Sequence, residues 1–342
     1  MGTVWVAIGP SGATSVVAPV SELAWIAEKH PVDDVIAHGF FTFCGAVPEP
    51  IRTAAGAQRS LPDAIRTALD AVGASGHVIL DDGGRPSVIR DLCEALAPRT
   101  VVVDAGLWRD ARAVKDDDEI EALRRVNAAA EAGIVHALER ADVGSTELDL
   151  LRWTRQGMAE QGARPVLSSI GIGERGALVD MAPTERRLTL GDVVRFDVGC
   201  VLDGYQADLA RTAVIGDAPA WLQETHDALV AGEEAALQAM RPGATGADLF
   251  DRAVAAVRAG GVHDYERSHC GHGIGLELYE PPLIAPGSDR PVEAGMTCCV
   301  ETPLYLLGTA GLQIEDAIVV TDGGYERLGS LPRRLLGVGD AI

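Results

Sequence analysis

The chain has 342 residues, of which 47% are hydrophobic, 23% charged and 4% aromatic. That balance belongs to a globular protein rather than a disordered or fibrous one, and the length suits one large domain plus a smaller one. A net charge of −21, from 29 basic and 50 acidic residues, argues against nucleic acid as a partner, because neutralising phosphates requires clustered Lys and Arg.

The six cysteines (Cys44, Cys93, Cys200, Cys270, Cys298 and Cys299) show neither the density of a disulfide scaffold nor a C-x-x-C metal spacing, which fits a reducing cytoplasm. MGTVWVAIGP has no basic leader before an apolar core, and no run approaches the roughly 20 apolar residues of a membrane span. Neither secretion nor a membrane location is expected.

Up to about Ala113, strand-like runs (VWVAIG, VIAHGFFTF, HVILDD, TVVVDAG) alternate with helix-like ones (VSELAWIAEK, LPDAIRTALDAV), the punctuation of a small α/β domain. It holds no convergent set of His, Cys and acids, so a structural or oligomerising role is expected over residues 1–113. VKDDDEIEALRRVNAAAEAGIVHALERA then predicts a long amphipathic helix. Asp116, Asp117 and Asp118 suit its N-terminal end, and Ile120, Leu123, Val126, Ala130 and Ile134 recur on one face. This helix opens a second domain, residues 114–342.

Within that domain two segments resemble each other, VGSTELDLLRWTRQGMAEQGA from Val143 and PGATGADLFDRAVAAVRAGGV from Pro242. Each carries a Gly, a Thr able to cap, an acid in the first turn and an apolar helical face. Each is followed by a strand-like run, GDVVRFDVG and AGMTCCVETPLY, which puts Asp197 and Glu301 in comparable places. Two related halves of one α+β domain, with a site shared between them, are predicted.

Period-two alternation puts Val194, Phe196 and Val198 on one face and Asp197 on the other with Val193 and Arg195. A two-residue turn at Asp203-Gly204 sets Asp197 opposite Ala210 and makes Asp208 its diagonal neighbour, roughly 7–8 Å away at the backbone. A second hairpin, from MTCCVETPLYLL and GLQIEDAIVV, brings in Glu301 and Glu315. Four partly buried carboxylates repel one another unless protons or cations compensate them, and two divalent ions would balance the charge. His272, among Gly271, Gly273 and Gly275, offers a nitrogen, and His plus oxygen donors suits Mn, Fe, Co or Zn better than Ca.

FDVGCVLDGYQADLART, GHGIGLELYEPP, GMTCCVETPLY and GLQIED together resemble the signatures of the methionine aminopeptidase, prolidase and Xaa-Pro aminopeptidase family of pita-bread-fold metallopeptidases, over about residues 114–330. The N-terminal part resembles, more weakly, the smaller domain of prolidases, Xaa-Pro aminopeptidases and creatinase. The resemblance implies two divalent metal ions, with Asp197 on one, Asp208 and Glu315 bridging, and His272 and Glu301 on the other. It implies a metal-activated water attacking an amide carbonyl of a small peptide, and a homodimer.

The chain departs from that pattern around the substrate. Tyr279 stands where the family usually has a His that contacts substrate; with an unperturbed pKa near 10 it donates a hydrogen bond but stays neutral. Asp180 and Ser268 stand where relatives place histidines, His269 is next door to the latter, and Gln313 replaces a usual Arg. Tyr279 and His269 are therefore the expected catalytic groups, and Asp180, Gln313 and Ser268 the substrate contacts. The alternative is a non-peptide C–N bond enzyme of the same fold, creatinase- or ectoine-hydrolase-like, acting on a small amide. A non-catalytic binding protein is disfavoured by the complete ligand set.

Other signals carry less. GIGERG at Gly171–Gly176 matches a nucleotide-binding pattern, but Pro183 interrupts the helix that should follow. Ser169 and Gly171 are instead expected to line the substrate side of the pocket. Cys200, Cys298 and Cys299 read as core, His263 as a solvated loop residue, and Arg211 as half of a structural ion pair.

Overall fold

The computed structural model describes residues 3–29, 35–41, 45, 59–81 and 86–339. Cys44, the 42–43 end of the VIAHGFFTF run and Asp82 lie outside them. Two compact units divide at Trp108/Arg109.

In the first unit, strands β1 (Trp5–Ile8), β2 (Thr14–Pro19) and β3 (Val35–His38) form one sheet, with β1 antiparallel and β3 parallel to β2. β4 (His77–Leu80) and β5 (Thr100–Val103) pair in parallel. Helices Leu61–Ala71 and Pro86–Ala95 pack Ile65, Leu69, Ile89 and Leu92 against them. The α/β punctuation of the sequence is thus realised.

The second unit is built on β6 (Arg164–Ile172), β7 (Val193–Leu202), β8 (Tyr205–Val214), β9 (Gly271–Gly273), β10 (Glu280–Leu283), β11 (Thr297–Glu301), β12 (Leu304–Leu306), β13 (Ala310–Leu312), β14 (Glu315–Thr321), β15 (Gly324–Arg327) and β16 (Leu336–Gly337). One sheet runs β10-β9-β11-β14-β8-β7-β6, with β15 beside β14 and β16 beside β8; β12 and β13 form a separate ribbon. Helices Asp117–Leu138 and Glu147–Glu160 bury Leu123, Val126, Ile134, Leu150 and Met158 in one core with Phe196 and Leu209. Helices Ala220–Ala239 and Gly246–Ala259 bury Leu229, Leu237, Leu249 and Val257 in another with Cys298, Val300 and Ile318.

The two halves repeat several of one another's bonds. Thr146 caps its helix by accepting from Asp149 N, and Thr245 does the same from Asp248 N. Gly144 N donates to Leu188 O and Leu188 N to Ser145 O; Gly243 N donates to Val292 O and Val292 N to Ala244 O. Gly191 N donates to Ile215 O, as Gly295 N does to Val320 O. Asp197 and Glu301 each follow six residues after the glycine of that last pair. The long helix starts at N-cap Asp116, in a reciprocal capping box with Glu119.

Just before that helix, Lys115 Nζ lies 2.7 Å from Glu280 Oε2, and both side chains are buried. Its backbone N–H donates to Gly295 O, so the pair ties the entry of the second unit to β10. Removing one partner of a buried pair strands the other charge. Lys115→Met is expected to lower unfolding free energy by about 3–5 kcal/mol in urea denaturation, while an exposed control such as Arg155→Met changes it by less than about 0.5 kcal/mol.

Candidate metal centre

Asp203 and Gly204 both have positive φ, 52° and 90°, the geometry of the tight two-residue turn predicted for Asp-Gly. The turn fixes the register: Asp197 faces Ala210, and Asp208 faces Gly199. Ala210 in turn faces Glu315 on β14, and Glu315 faces Glu301 on β11. Asp197, Ala210, Glu315 and Glu301 therefore form one row across four strands, with Asp208 two residues from Ala210 on the same face. His272 on β9 faces Cys299, two residues before Glu301, which puts it on that face as well. β9 can approach this closely because it opens and closes on glycine: a Cβ at Gly271 would lie 2.2 Å from Cys299 O, and one at Gly273 2.2 Å from Pro281 O.

Carboxylate oxygens of Asp197, Asp208 and Glu315 lie within 4.8 Å of one another, and so do donor atoms of His272, Cys299 and Glu315. His272 Nε2 is 3.7 Å from Asp208 Oδ2 and 4.0 Å from Glu315 Oε1. Its Nδ1 is 3.0 Å from Gly273 O, which fixes the proton there and turns the Nε2 lone pair toward the acids. Asp208 Oδ1 and Glu315 Oε1 are buried without a hydrogen-bond partner. Burial, then neighbouring carboxylates, hold Asp208 and Glu315 well above the usual carboxylate range. Burial pushes Asp197 up to about 6 despite Arg195 beside it. Glu301 goes the other way: burial raises it, but the hydrogen bond from His269 and the nearby Arg267 bring it below its ordinary value. Burial lowers His272, keeping it neutral. Clustered acids, orphaned oxygens and a neutral imidazole make a donor set that fits divalent metal ions.

A cleft of about 170 Å³ opens onto these five side chains, and Asp180, His269, Tyr279 and Gln313 also line it. The Tyr279 ring stacks on His272 at 3.8 Å between centroids and is half exposed. His269 Nε2 is 2.8 Å from Glu301 Oε1, and its Nδ1 3.0 Å from Ser268 Oγ. Ser268 is exposed and stands behind His269, outside the cleft lining. Gln313 is buried, its Oε1 accepting from Arg195 at 2.7 Å and its Nε2 pointing to Glu301 and Glu315 at 3.4 and 3.3 Å.

Ser169 and Gly171 do not line the pocket. Ser169 faces Asp197 across β6 and β7, but the buried Arg195 guanidinium fills the space between: it donates to Asp197 Oδ2 at 3.0 Å, to Ser169 Oγ, and to the carbonyls of Gly176, Leu178 and Val179. Gly171 is packed against Gly176 and Met181, and GIGERG continues into a single 3-10 turn, Gly173–Ala177. Arg211 is buried in an ion pair with Asp316, as the sequence predicts.

Arg267, Tyr305 and Cys299 were not anticipated at the site, and Arg195, placed on the face of Asp197, was given no role there. Arg195 carries a readable signal, an arginine two residues before Asp197 in an apolar run. Arg267 lies 3.8 Å from Glu301 Oε2, and both guanidinium groups flank the Tyr305 ring, at 5.2 Å for Arg195 and 5.5 Å for Arg267. Tyr305 comes from the separate β12 ribbon, which no periodicity places.

Residues 121–322 match the model of metallopeptidase family M24. The chain belongs to that family. Membership implies divalent metal ions as the cofactor. The Xaa-Pro dipeptidase of Pyrococcus furiosus is 29% identical over 230 residues, 67% of this chain and 66% of that protein. The probable dipeptidase PepE of Mycobacterium bovis is 33% identical over 240 residues, 69% of this chain and 64% of that protein. These matches span just under two thirds of the relatives' lengths. The structure of the X-Pro aminopeptidase from Thermotoga maritima superposes with a TM-score of 0.81 at 23% identity, covering 96% of this chain and 86% of that one. The fold is the α+β pita-bread fold, preceded by a smaller α/β domain.

Asp208→Asn keeps the shape and removes one repelling charge. In metal-free protein the raised Asp208 pKa means that ionisation destabilises the folded state, so stability falls as pH rises through it. The Asn variant is expected to be more stable than the parent at pH 8 by roughly 1–3 kcal/mol, with the gap closing toward pH 4, read by urea denaturation after chelation. A variant that is less stable at pH 8 contradicts this.

Proposed function

We propose that the protein is a dinuclear metal-dependent hydrolase of the Xaa-Pro dipeptidase or aminopeptidase type, cutting the amide bond of short peptides. The observation that carries this reading is the row of acids on one sheet face, with Asp208 Oδ1 and Glu315 Oε1 buried and unpartnered. The names of the relatives, Xaa-Pro dipeptidase and dipeptidase, favour a peptide over the non-peptide alternative. Asp197 would hold one ion, His272 and Glu301 the other, and Asp208 and Glu315 both; Mn, Co, Fe or Zn suits the mixed donors. Such a pair of ions supplies polarisation of the substrate carbonyl and activation of water.

The remaining roles fall to the chain's own groups. Gln313, held by Arg195, keeps Glu301 and Glu315 in place. His269 steadies Glu301 from the other side, with Ser268 fixing the imidazole. Tyr279 keeps its proton, because burial and then the nearby carboxylates push its pKa up, and so can donate to an oxygen that gains charge. Asp180 at the mouth suits a substrate ammonium, and Arg267 a carboxylate. The cleft is smaller than the roughly 300–1,000 Å³ of drug-sized ligand sites, which favours a dipeptide-sized substrate. A homodimer and a cytoplasmic location belong to the same reading; among the described residues the free cysteines Cys93, Cys200, Cys270, Cys298 and Cys299 support the latter.

Chelation should abolish hydrolysis of Xaa-Pro dipeptides, and Mn2+ or Co2+ should restore it; Glu315→Gln should lower kcat/KM at least roughly a hundredfold under limiting metal. Metal bound without turnover of any Xaa-Pro dipeptide or longer Xaa-Pro peptide would sink the peptidase reading. Tyr279→Phe, which removes only the hydroxyl, should lower kcat by about 10²-fold or more with KM little changed. Unchanged kcat would leave Tyr279 a mere stacking partner of His272.

A further inference from the structure

Of the five free cysteines, Cys299 alone is grouped with candidate metal ligands among the described residues. It faces His272 directly across β9 and β11, and its Sγ lies within 4.8 Å of donor atoms of both His272 and Glu315. Donors around one tetrahedral zinc are separated by about 3.5 Å, given bond lengths of about 2.0–2.3 Å. Its neighbour Cys298 has the opposite parity and packs into the core around Leu229 and Val257. Cys200, on the opposite face of β7 from Asp197, donates to Val126 O. A buried thiol is by itself an ordinary core filler. What distinguishes Cys299 is company: Glu315 Oε1 is fully buried and unpartnered, and His272 Nε2 lies 4.0 Å from it while Nδ1 is 3.0 Å from Gly273 O.

We infer that Cys299 supplies a sulfur donor to the ion held by His272 and Glu315. Sulfur ligation presupposes the metal centre proposed above and gives it a chemical gradient. On the Asp197 and Asp208 side the donors are all oxygen, which suits Mn2+. On the His272 side they are nitrogen, sulfur and oxygen, which suits Zn2+, Co2+ or Fe2+. Coordination replaces the S–H bond with a sulfur–metal bond and releases the proton to solvent, with no change of oxidation state. The thiol also lies 3.7 Å from Asp208 O.

The test is Co2+ titration of the chelated full-length protein without oxygen. Wild type and Cys298→Ser should develop both visible ligand-field bands and the near-ultraviolet sulfur-to-cobalt charge-transfer band. Cys299→Ser should keep the visible bands and lose the ultraviolet one. In competition, the Zn2+ over Mn2+ preference should fall roughly tenfold in Cys299→Ser. Should that variant fail to fold, X-ray absorption of the wild-type cobalt protein replaces it, with a sulfur shell expected at about 2.3 Å. Visible bands without a sulfur band in wild type, or a band that survives Cys299→Ser, overturns sulfur ligation and leaves the metal centre standing. No cobalt binding at all overturns both.

Discussion

Like charges at close range in a buried site are the constraint on which the rest of this structure depends. Two carboxylates 4 Å apart repel by about 4 kcal/mol even at an effective dielectric near 20, and here Asp197, Asp208 and Glu315 all bring oxygens within 4.8 Å of one another. Among the described residues the arginines beside the row are Arg195, hydrogen-bonded to Asp197, and Arg267, 3.8 Å from Glu301, and they do not neutralise the set. The carboxyl pKa values of Asp197, Asp208 and Glu315 are raised accordingly, so that protonation relieves part of the repulsion. Divalent ions answer the same constraint more completely, because each offsets two charges and takes up the orphaned oxygens.

The scaffold tolerates such a cluster because each acid is delivered by a strand that is secured elsewhere. Each half has its capped helix, its Gly-anchored strand and its own apolar core, and the acids emerge only where the half-sheets meet, at the Glu315 and Ala210 contact. Ala210 is the small residue in a row of acids, and it leaves room at the centre. Buried ion pairs such as Lys115 with Glu280 and Arg211 with Asp316 hold the surrounding segments, while the acids of the row keep free oxygens for ligands. Stability and function are thus kept on different residues of neighbouring strands.

Much of this was legible in the sequence, for identifiable reasons. Asp-Gly between two alternating strands has one favoured turn, and that turn alone fixes Asp197 and Asp208 on one face. Glu301 and Glu315 interrupt apolar alternation in two further strands, and the internal repeat gives Glu301 a counterpart in Asp197. What escaped was set by space rather than pattern. Ser169 lies on the correct face but is screened by Arg195, whose length fills the gap to the Ser169 hydroxyl and to the carbonyls of Gly176, Leu178 and Val179. Tyr305 arrives from a ribbon outside the main sheet, and Gln313, which lines the cleft, also bonds to Arg195, Glu301 and Glu315, links that its place in the sequence does not reveal. Cys299 shares the composition of any core cysteine, and only the pairing of β9 with β11 reveals its neighbours.

The central claim, that this row of acids exists to hold two divalent ions, is tested most directly by anomalous diffraction from crystals equilibrated with Mn2+. The account predicts two anomalous peaks, one contacted by Asp197, the other by His272 and Glu301, with Asp208 and Glu315 touching both. Absence of any peak at saturating Mn2+, with the four carboxyl groups hydrogen-bonded to one another, would contradict it.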